Sequence, residues 1–341
     1  MKQVNWGIIG LGVIASQFAN GFKYIKNAKI LGVASNNRNK IKEYREKYRI
    51  NTDYCFDNYE DLIKNQDIDI IYIALPTSHH YEWIVKCLKS NKRVLVEKPA
   101  TLNSQEALNI KDLISGKGNF FTEAFMYLYH PKIRKVLEFI ELGTIGDLVS
   151  MESFFGQDIL TKNFFGFRKK KRLNPDNRLY NKKLGGGVIL DLGCYPVSFS
   201  TLIASLKSKI NYNNVKLFNK KKKIGSTDVD LDSYTELNFE NNFTSKIGAS
   251  FTKNLGKHSR IIGTRGELII EDTWTSSSTK IIIKKNNEEE IININSNENI
   301  YSYEIETISQ CIIDNKTKVD FPGLTIENTV GNMKIIDEWL R

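Results

Sequence analysis

The 341-residue sequence has only four cysteines and six prolines. Cys55, Cys87, Cys194 and Cys311 are scattered, and none forms a C-x-x-C pair or a cluster with histidine. That spacing argues against a disulfide framework and a structural zinc site, and it predicts a reducing, cytoplasmic setting. No apolar run reaches the roughly 18–20 residues of a membrane span. The first apolar run, Val4–Leu11, is interrupted by Gly7 and Gly10 and leads into no cleavage site, so a secretion signal is not expected. Repeats and low-complexity linkers are missing too. With 41% hydrophobic and 26% charged residues, the composition is that of a globular protein, not a disordered or fibrous one.

Charge is less balanced. Lys plus Arg total 49 against 39 Asp plus Glu, a net charge of +10. A basic surplus of this kind raises the question of a polyanionic partner. The densest runs, Lys169–Arg172 and Lys220–Lys223, carry no interleaved aromatics or glycines. They read as solvated surface, and no specific nucleic-acid partner is expected.

Length alone predicts two domains. Residues 1–122 alternate strand-like and helix-like segments: Val4–Ile9, Lys29–Ala34, Ile68–Ala74 and Arg93–Val96 are apolar runs separated by amphipathic stretches. That alternation predicts a parallel, doubly wound α/β sheet. Residues 123–341 follow another pattern, with helices and several alternating segments joined by polar turns. This half predicts an α+β domain on a large, mostly antiparallel sheet. Residues 157–184 read as a basic, irregular stretch.

Between the first apolar run and the first helix lies Gly10-Leu11-Gly12-Val13-Ile14-Ala15, a G-x-G-x-x-A pattern. Its first glycine allows a tight turn, its second lets the backbone approach a pyrophosphate, and Ala15 allows close helix packing. The helix start then offers free N–H groups to phosphate. At the end of the second strand, where an NAD site places an acid, the sequence reads Ser35-Asn36-Asn37-Arg38. Ser35, Asn36 and Arg38 can bind a 2′-phosphate that a carboxylate would repel, so NADP(H) is favoured over NAD(H). Glu97-Lys98-Pro99 follows another buried strand, which sets Lys98 at the ligand-binding edge of such a sheet. Gly185-Gly186-Gly187 precedes a helical segment carrying Asp191 and Tyr195, four residues apart and so on one face of an α-helix. Pro196 inside that segment predicts a kink or a late helix start.

Taken together, these motifs resemble the Gfo/Idh/MocA oxidoreductases. Glu123-Ala124-Phe125-Met126, Thr77-Ser78-His79-His80 and Gly263-Thr264-Arg265-Gly266 fit the same pattern. The resemblance implies a Rossmann domain followed by a substrate and oligomerisation domain. It implies hydride transfer between a nicotinamide and a carbinol or ketone carbon of a sugar or sugar derivative, with no metal. Lys98 and Tyr195 would be the catalytic pair, with Lys98 lowering the tyrosine pKa, and Asp191 would orient Lys98 or bind a sugar hydroxyl. Cofactor contacts would fall on Gly10, Gly12, Val13, Ile14, Ser35, Asn36, Arg38, Leu75, Pro76, Thr77, His80, Glu97 and Lys98. Arg178 is the candidate to bind a substrate phosphate or carboxylate. A homodimer or homotetramer through the second-domain sheet is implied, without membrane partners. One departure stands out: Leu128 occupies a position where the family often has Arg near the cofactor. Two other functions remain open at this level, a glycoside hydrolase that retains its nucleotide and a catalytically silent cofactor binder.

Overall fold

The computed structural model describes residues 2–164, 167–296 and 299–341, without the side chains of 162–168. Its contacts divide the chain into two units: Met1–His130 with Glu298–Val330, and Pro131–Asn297 with Gly331–Arg341. The expected division at 122/123 differs from this at the boundary and in the return of residues 299–330 to the first unit. The physical reason is burial: residues from the late segment cover the first strand, where Trp6 Nε1 donates to Ser309 Oγ at 3.0 Å.

The first unit contains β1 (Val4–Ile9), α1 (Val13–Gly21), β2 (Ala28–Ala34), α2 (Arg38–Tyr48), β3 (Cys55–Phe56), α3 (Tyr59–Lys64), β4 (Ile70–Ile73), α4 (Thr77–Lys89), β5 (Arg93–Glu97), α5 (Ser104–Ile114), β6 (Phe121–Ala124) and α6 (Met126–Tyr129). The strands are parallel in the order β3-β2-β1-β4-β5-β6. From β1 the chain moves outward to β3, then crosses back to β4. The carboxyl ends of β1 and β4 are therefore the switch point where such sheets bind ligands. Ile70, Ile71, Tyr72 and Ile73 of β4 are all fully buried, which is why that strand is apolar without alternation. The sequence pattern had not suggested β3 or α3. β3 is two residues long, and α3 shows only Leu62 and Ile63 to the interior.

The second unit contains α7 (Pro131–Glu141), β7 (Leu148–Gly156), β8 (Thr161–Phe164), β9 (Phe167–Lys170), α8 (Cys194–Ser205), β10 (Lys216–Ile224), β11 (Asp230–Asn238), β12 (Thr244–Ser250), β13 (Ser259–Gly263), β14 (Glu267–Ile270), β15 (Thr279–Lys285) and β16 (Glu288–Ile294). Eight strands form one sheet in the order β10-β11-β12-β7-β13-β14-β15-β16. Every pairing is antiparallel except β12 with β7. The expectation of an irregular 157–184 segment needs correction, because β8 and β9 pair antiparallel there. The helical run Lys182–Ser205 also meets the length and hydropathy of a membrane span, and 89% of that window is buried. α8 is buried all round, and its hydroxyls at Ser200 and Thr201 are bonded to Ser245 and Asn332.

Lys220–Lys223 lie on β10, an edge strand. Charged side chains there oppose pairing with a foreign strand. Lys220 also bonds Glu338, and Lys222 donates to the Leu340 carbonyl at 2.6 Å. The run thus holds the end of the last helix, where cations suit the helix dipole. Two helices close the chain, α9 (Ile300–Ile313) in the first unit and α10 (Ile326–Leu340), which passes from the first unit into the second at Gly331.

Candidate functional site

The turn after β1 is built for close approach. Gly10 has φ +84°, and a Cβ there would sit 2.6 Å from the Ala74 carbonyl oxygen. Gly12 caps α1 with extended backbone, and a Cβ there would meet nothing within 4 Å. Among the described residues no side chain caps α1, and no acid lies in its first turn. Ala15 is fully buried, Ile14 half-buried, and Val13 is 79% exposed. Open space, uncapped N–H groups and an exposed apolar residue fit a dinucleotide pyrophosphate at this helix start.

At the end of β2, Ser35 is buried and Asn36 exposed. Asn37 caps α2 by accepting from the backbone N–H groups of Asn39 and Lys40. Arg38 begins the helix with its guanidinium in solvent, 3.1 Å from the Asp57 carboxylate. Asp57 was not foreseen as part of this region, because it follows β3. Both groups flank a 440 Å³ surface cavity that also includes Lys42, Arg45 and Cys55.

The turns after β4 and β5 are tied by one histidine. His80 is 1% exposed, with Nε2 2.7 Å from the Leu75 carbonyl and Nδ1 3.0 Å from the Pro99 carbonyl. Burial outweighs both carbonyls and holds its pKa near 4, so the ring is neutral at physiological pH. Leu75 and Pro76 are half-buried and Thr77 is buried in the first turn of α4. The geometry makes His80 a brace behind these residues and behind Lys98, with both ring nitrogens directed at the protein.

Lys98 is half-buried just past β5, next in the chain to Glu97 and within electrostatic reach of Glu123. Glu97 accepts from the Tyr72 hydroxyl. Glu123 accepts from the Ala100 backbone N–H and the Thr329 hydroxyl, both at 2.9 Å. It thereby fixes the turn that follows Lys98. Burial raises the Glu123 pKa to about 7, with Glu97 adding to the rise and Lys98 opposing it. Glu304 of α9 is fully buried, and among the described residues neither carboxyl oxygen has a hydrogen-bond partner. Burial first, then Glu97, pushes its pKa well upward. An unfolded glutamate loses its proton near 4.3, whereas the folded chain keeps Glu304 protonated to higher pH. Stability from this group is therefore full below that pH and declines as pH rises towards the folded value. Glu304→Leu is expected to raise stability by about 1–3 kcal/mol, with a gap over the parent that widens from pH 4.5 to pH 8. Thermal melts across that range check it.

In the second unit, Asp191 and Tyr195 follow the triple glycine. Gly187 has φ +113°, and a Cβ there would lie against the Asp230 carboxylate. Asp230, 6% exposed, accepts from the Ile189 backbone N–H at 2.6 Å and anchors the start of the helical segment. Residues Ile189–Gly193 are π-helical and α8 starts at Cys194. The shared α-helical face expected for Asp191 and Tyr195 is thus replaced by a wider turn, and the late start anticipated from Pro196 is present. Tyr195 is 5% exposed, its ring 5.2 Å from Phe155 and 5.7 Å from Trp274. Arg178 reaches Asp191 with an N–O distance of 3.2 Å. The structure therefore brings Arg178, Asp191 and Tyr195 into one unit, and the glycine turn, Arg38, His80 and Lys98 into the other.

Leu128 is fully buried within the first unit, so its side chain packs in the core. His130 is also fully buried, with its ring 5.1 Å from Tyr303. Among the described residues no cluster of three His, Cys, Asp or Glu side chains could hold a metal ion.

Residues 4–125 match the model of the oxidoreductase family with an NAD-binding Rossmann fold, and residues 133–269 match the GFO/IDH/MocA C-terminal domain. A trans-1,2-dihydrobenzene-1,2-diol dehydrogenase of Xenopus tropicalis is 26% identical, over 98% of this chain and 97% of its own. A dTDP-3,4-didehydro-2,6-dideoxy-alpha-D-glucose 3-reductase of Saccharopolyspora spinosa is 25% identical, over 80% of this chain and 76% of its own. Among solved folds, an aldose-aldose oxidoreductase from Caulobacter crescentus, complexed with glycerol, superposes with a TM-score of 0.86 at 17% identity, covering 100% of this chain and 97% of the other. A 3-ketoreductase from Actinomadura kijaniata, in complex with NADP and TDP-benzene, gives 0.81 at 20% identity, covering 98% and 96%. The glycine turn at the switch point and the matches across both units lead to one assignment: the chain belongs to the GFO/IDH/MocA family of NAD(P)-dependent oxidoreductases.

Proposed function

We propose that the protein uses NADP(H) to interconvert a carbinol and a ketone carbon of a sugar or sugar derivative. The observation that carries this reading is the open Gly12 turn at the same sheet edge as Lys98. When bound, the nicotinamide supplies or accepts the hydride. Lys98 stabilises negative charge developing on the substrate oxygen. Tyr195 protonates that oxygen in reduction and accepts its proton in oxidation. Asp191 and Arg178 bind the rest of the substrate, Asp191 through a hydroxyl and Arg178 through an anionic group. The named activities of the Xenopus and Saccharopolyspora relatives support a carbinol or ketone substrate.

Preference for NADP(H) rests on Ser35, Asn36 and Arg38 at the end of β2. Phosphate binding exchanges the Asp57 partner of Arg38 for a dianion. Arg38→Ala is expected to weaken NADPH binding by about tenfold, with NADH affinity nearly unchanged. Fluorescence titrations of both nucleotides read the two effects. A variant that loses both equally would contradict the assignment of Arg38.

Oligomerisation belongs to the same proposal. Val149, Phe218, Ile224 and Ile291 are exposed on strands of the large sheet, and a homodimer or homotetramer formed there would cover them. Light scattering is expected to give a multiple of the 39.2 kDa chain, and Phe218→Glu to reduce it. A cytoplasmic location is proposed with it, in keeping with four free cysteines. Assays over a panel of keto-sugars with NADPH test the reaction itself. Stoichiometric NADPH consumption is the expected result. Substrate cleavage without net consumption would favour the nucleotide-retaining hydrolase, and binding without turnover a silent binder.

A further inference from the structure

Lys132 is an unexpected residue where it stands. It occupies the first turn of α7, where the helix dipole disfavours a cation, and its side chain is fully buried. Burying an ammonium is unfavourable by several kcal/mol unless its protons are satisfied. Its Nζ donates to the backbone carbonyls of Asp272 and Ser276, each at 3.0 Å. Those carbonyls bracket Trp274. The indole is fully buried, donates from Nε1 to the Phe154 carbonyl at 2.9 Å, and lies 5.7 Å from the Tyr195 ring, 5.9 Å from Phe199 and 6.1 Å from Phe155. An apolar side chain at 132 would fill the same space without holding the loop.

We propose that Lys132 is a positioning residue for Tyr195. Its ammonium clamps the Asp272–Ser276 loop, and the loop's Trp274 forms the wall against which the Tyr195 ring is set. This inference rests on the reading of Tyr195 as the proton-transfer residue. The charged groups facing the clamp are Asp272, which favours the ammonium, and Lys257, which opposes it. Lys257 itself donates to Thr275 Oγ1 at 2.7 Å, so a second cation braces the same loop. Burial lowers the Lys132 pKa to about 8, which brings loss of the clamp charge within reach of a pH scan.

The test uses the full-length protein with Lys132→Met, Trp274→Phe and the double variant. Lys132→Met is expected to keep NADPH affinity within about twofold while kcat falls about tenfold, with a smaller change in KM. Because both residues act through one wall, the double variant is expected to be no slower than the slower single one. A folded Lys132→Met with parental kcat, or single effects that multiply in the double variant, would overturn the proposal. Should Lys132→Met fail to fold, the Trp274 emission of the parent decides, taken as the difference from Trp274→Phe. It is expected to shift with a midpoint near pH 8, and an emission flat from pH 6 to 9 overturns the clamp. That scan needs no turnover, so it separates failure of the clamp from failure of the catalytic reading of Tyr195.

Discussion

Lys98→Met is expected to lower turnover by about 10²–10⁴-fold, the range that one positioned cation or proton donor contributes to a polar transition state. The turn carrying Lys98 is held independently of its ammonium. His80 contacts the Pro99 carbonyl and Glu123 accepts from the Ala100 N–H. The backbone therefore stays in place when the charge is removed, and cofactor affinity changes much less than kcat. Tyr195→Phe is the matching test in the second unit. Phe keeps the ring contacts with Phe155 and Trp274 and removes only the hydroxyl. Stability is expected to change by about 1 kcal/mol or less, while turnover falls by about 10²–10⁴-fold. Steady-state kinetics with NADPH binding measured in parallel reads both variants. Parental turnover in both would show that the chemistry lies elsewhere.

The two glycines of the turn after β1 are expected to fail in different ways. Gly10→Ala forces a side chain into left-handed backbone, at about 1–2 kcal/mol, and sets a Cβ against the Ala74 carbonyl. Melting temperature and cofactor binding fall together. Gly12→Val places its side chain in open space on backbone that any residue adopts. Stability is expected to change by less than about 1 kcal/mol. The new methyls nevertheless occupy the approach of the pyrophosphate, and NADPH affinity is expected to drop about 100-fold. Calorimetry and nucleotide titration of the two variants separate the effects. A Gly12→Val protein that binds NADPH like the parent would remove the pyrophosphate from this turn.

What the sequence made legible was local. The glycine turn, Arg38 at the end of a strand and Lys98 past β5 depend on short spacings, and those spacings were enough to place them. The return of α9 was not legible, because Trp6 and Ser309 are 303 residues apart and neither looks unusual alone. The wide turn carrying Asp191 was hidden for another reason. Its sequence, Ile189-Leu190-Asp191-Leu192-Gly193, is mostly apolar, so no periodicity distinguished a π-helix from an α-helix. Glu123 belonged to a recognisable motif, yet its work on the Ala100 turn depends on Thr329, 206 residues away. Lys132 and Asp230 act through backbone atoms far away in the chain, which a sequence pattern does not encode. The surplus of positive charge was the opposite case. Part of it proves to line an edge strand and to hold the end of α10.

This chain is expected to hold NADP(H) at the Gly10–Gly12 turn and to prefer it through Arg38. Fluorescence titration of the purified protein with NADPH and with NADH tests it most directly. Saturable binding of both is expected, tighter for NADPH, with the difference lost in Arg38→Ala. Absence of binding to either nucleotide would contradict it.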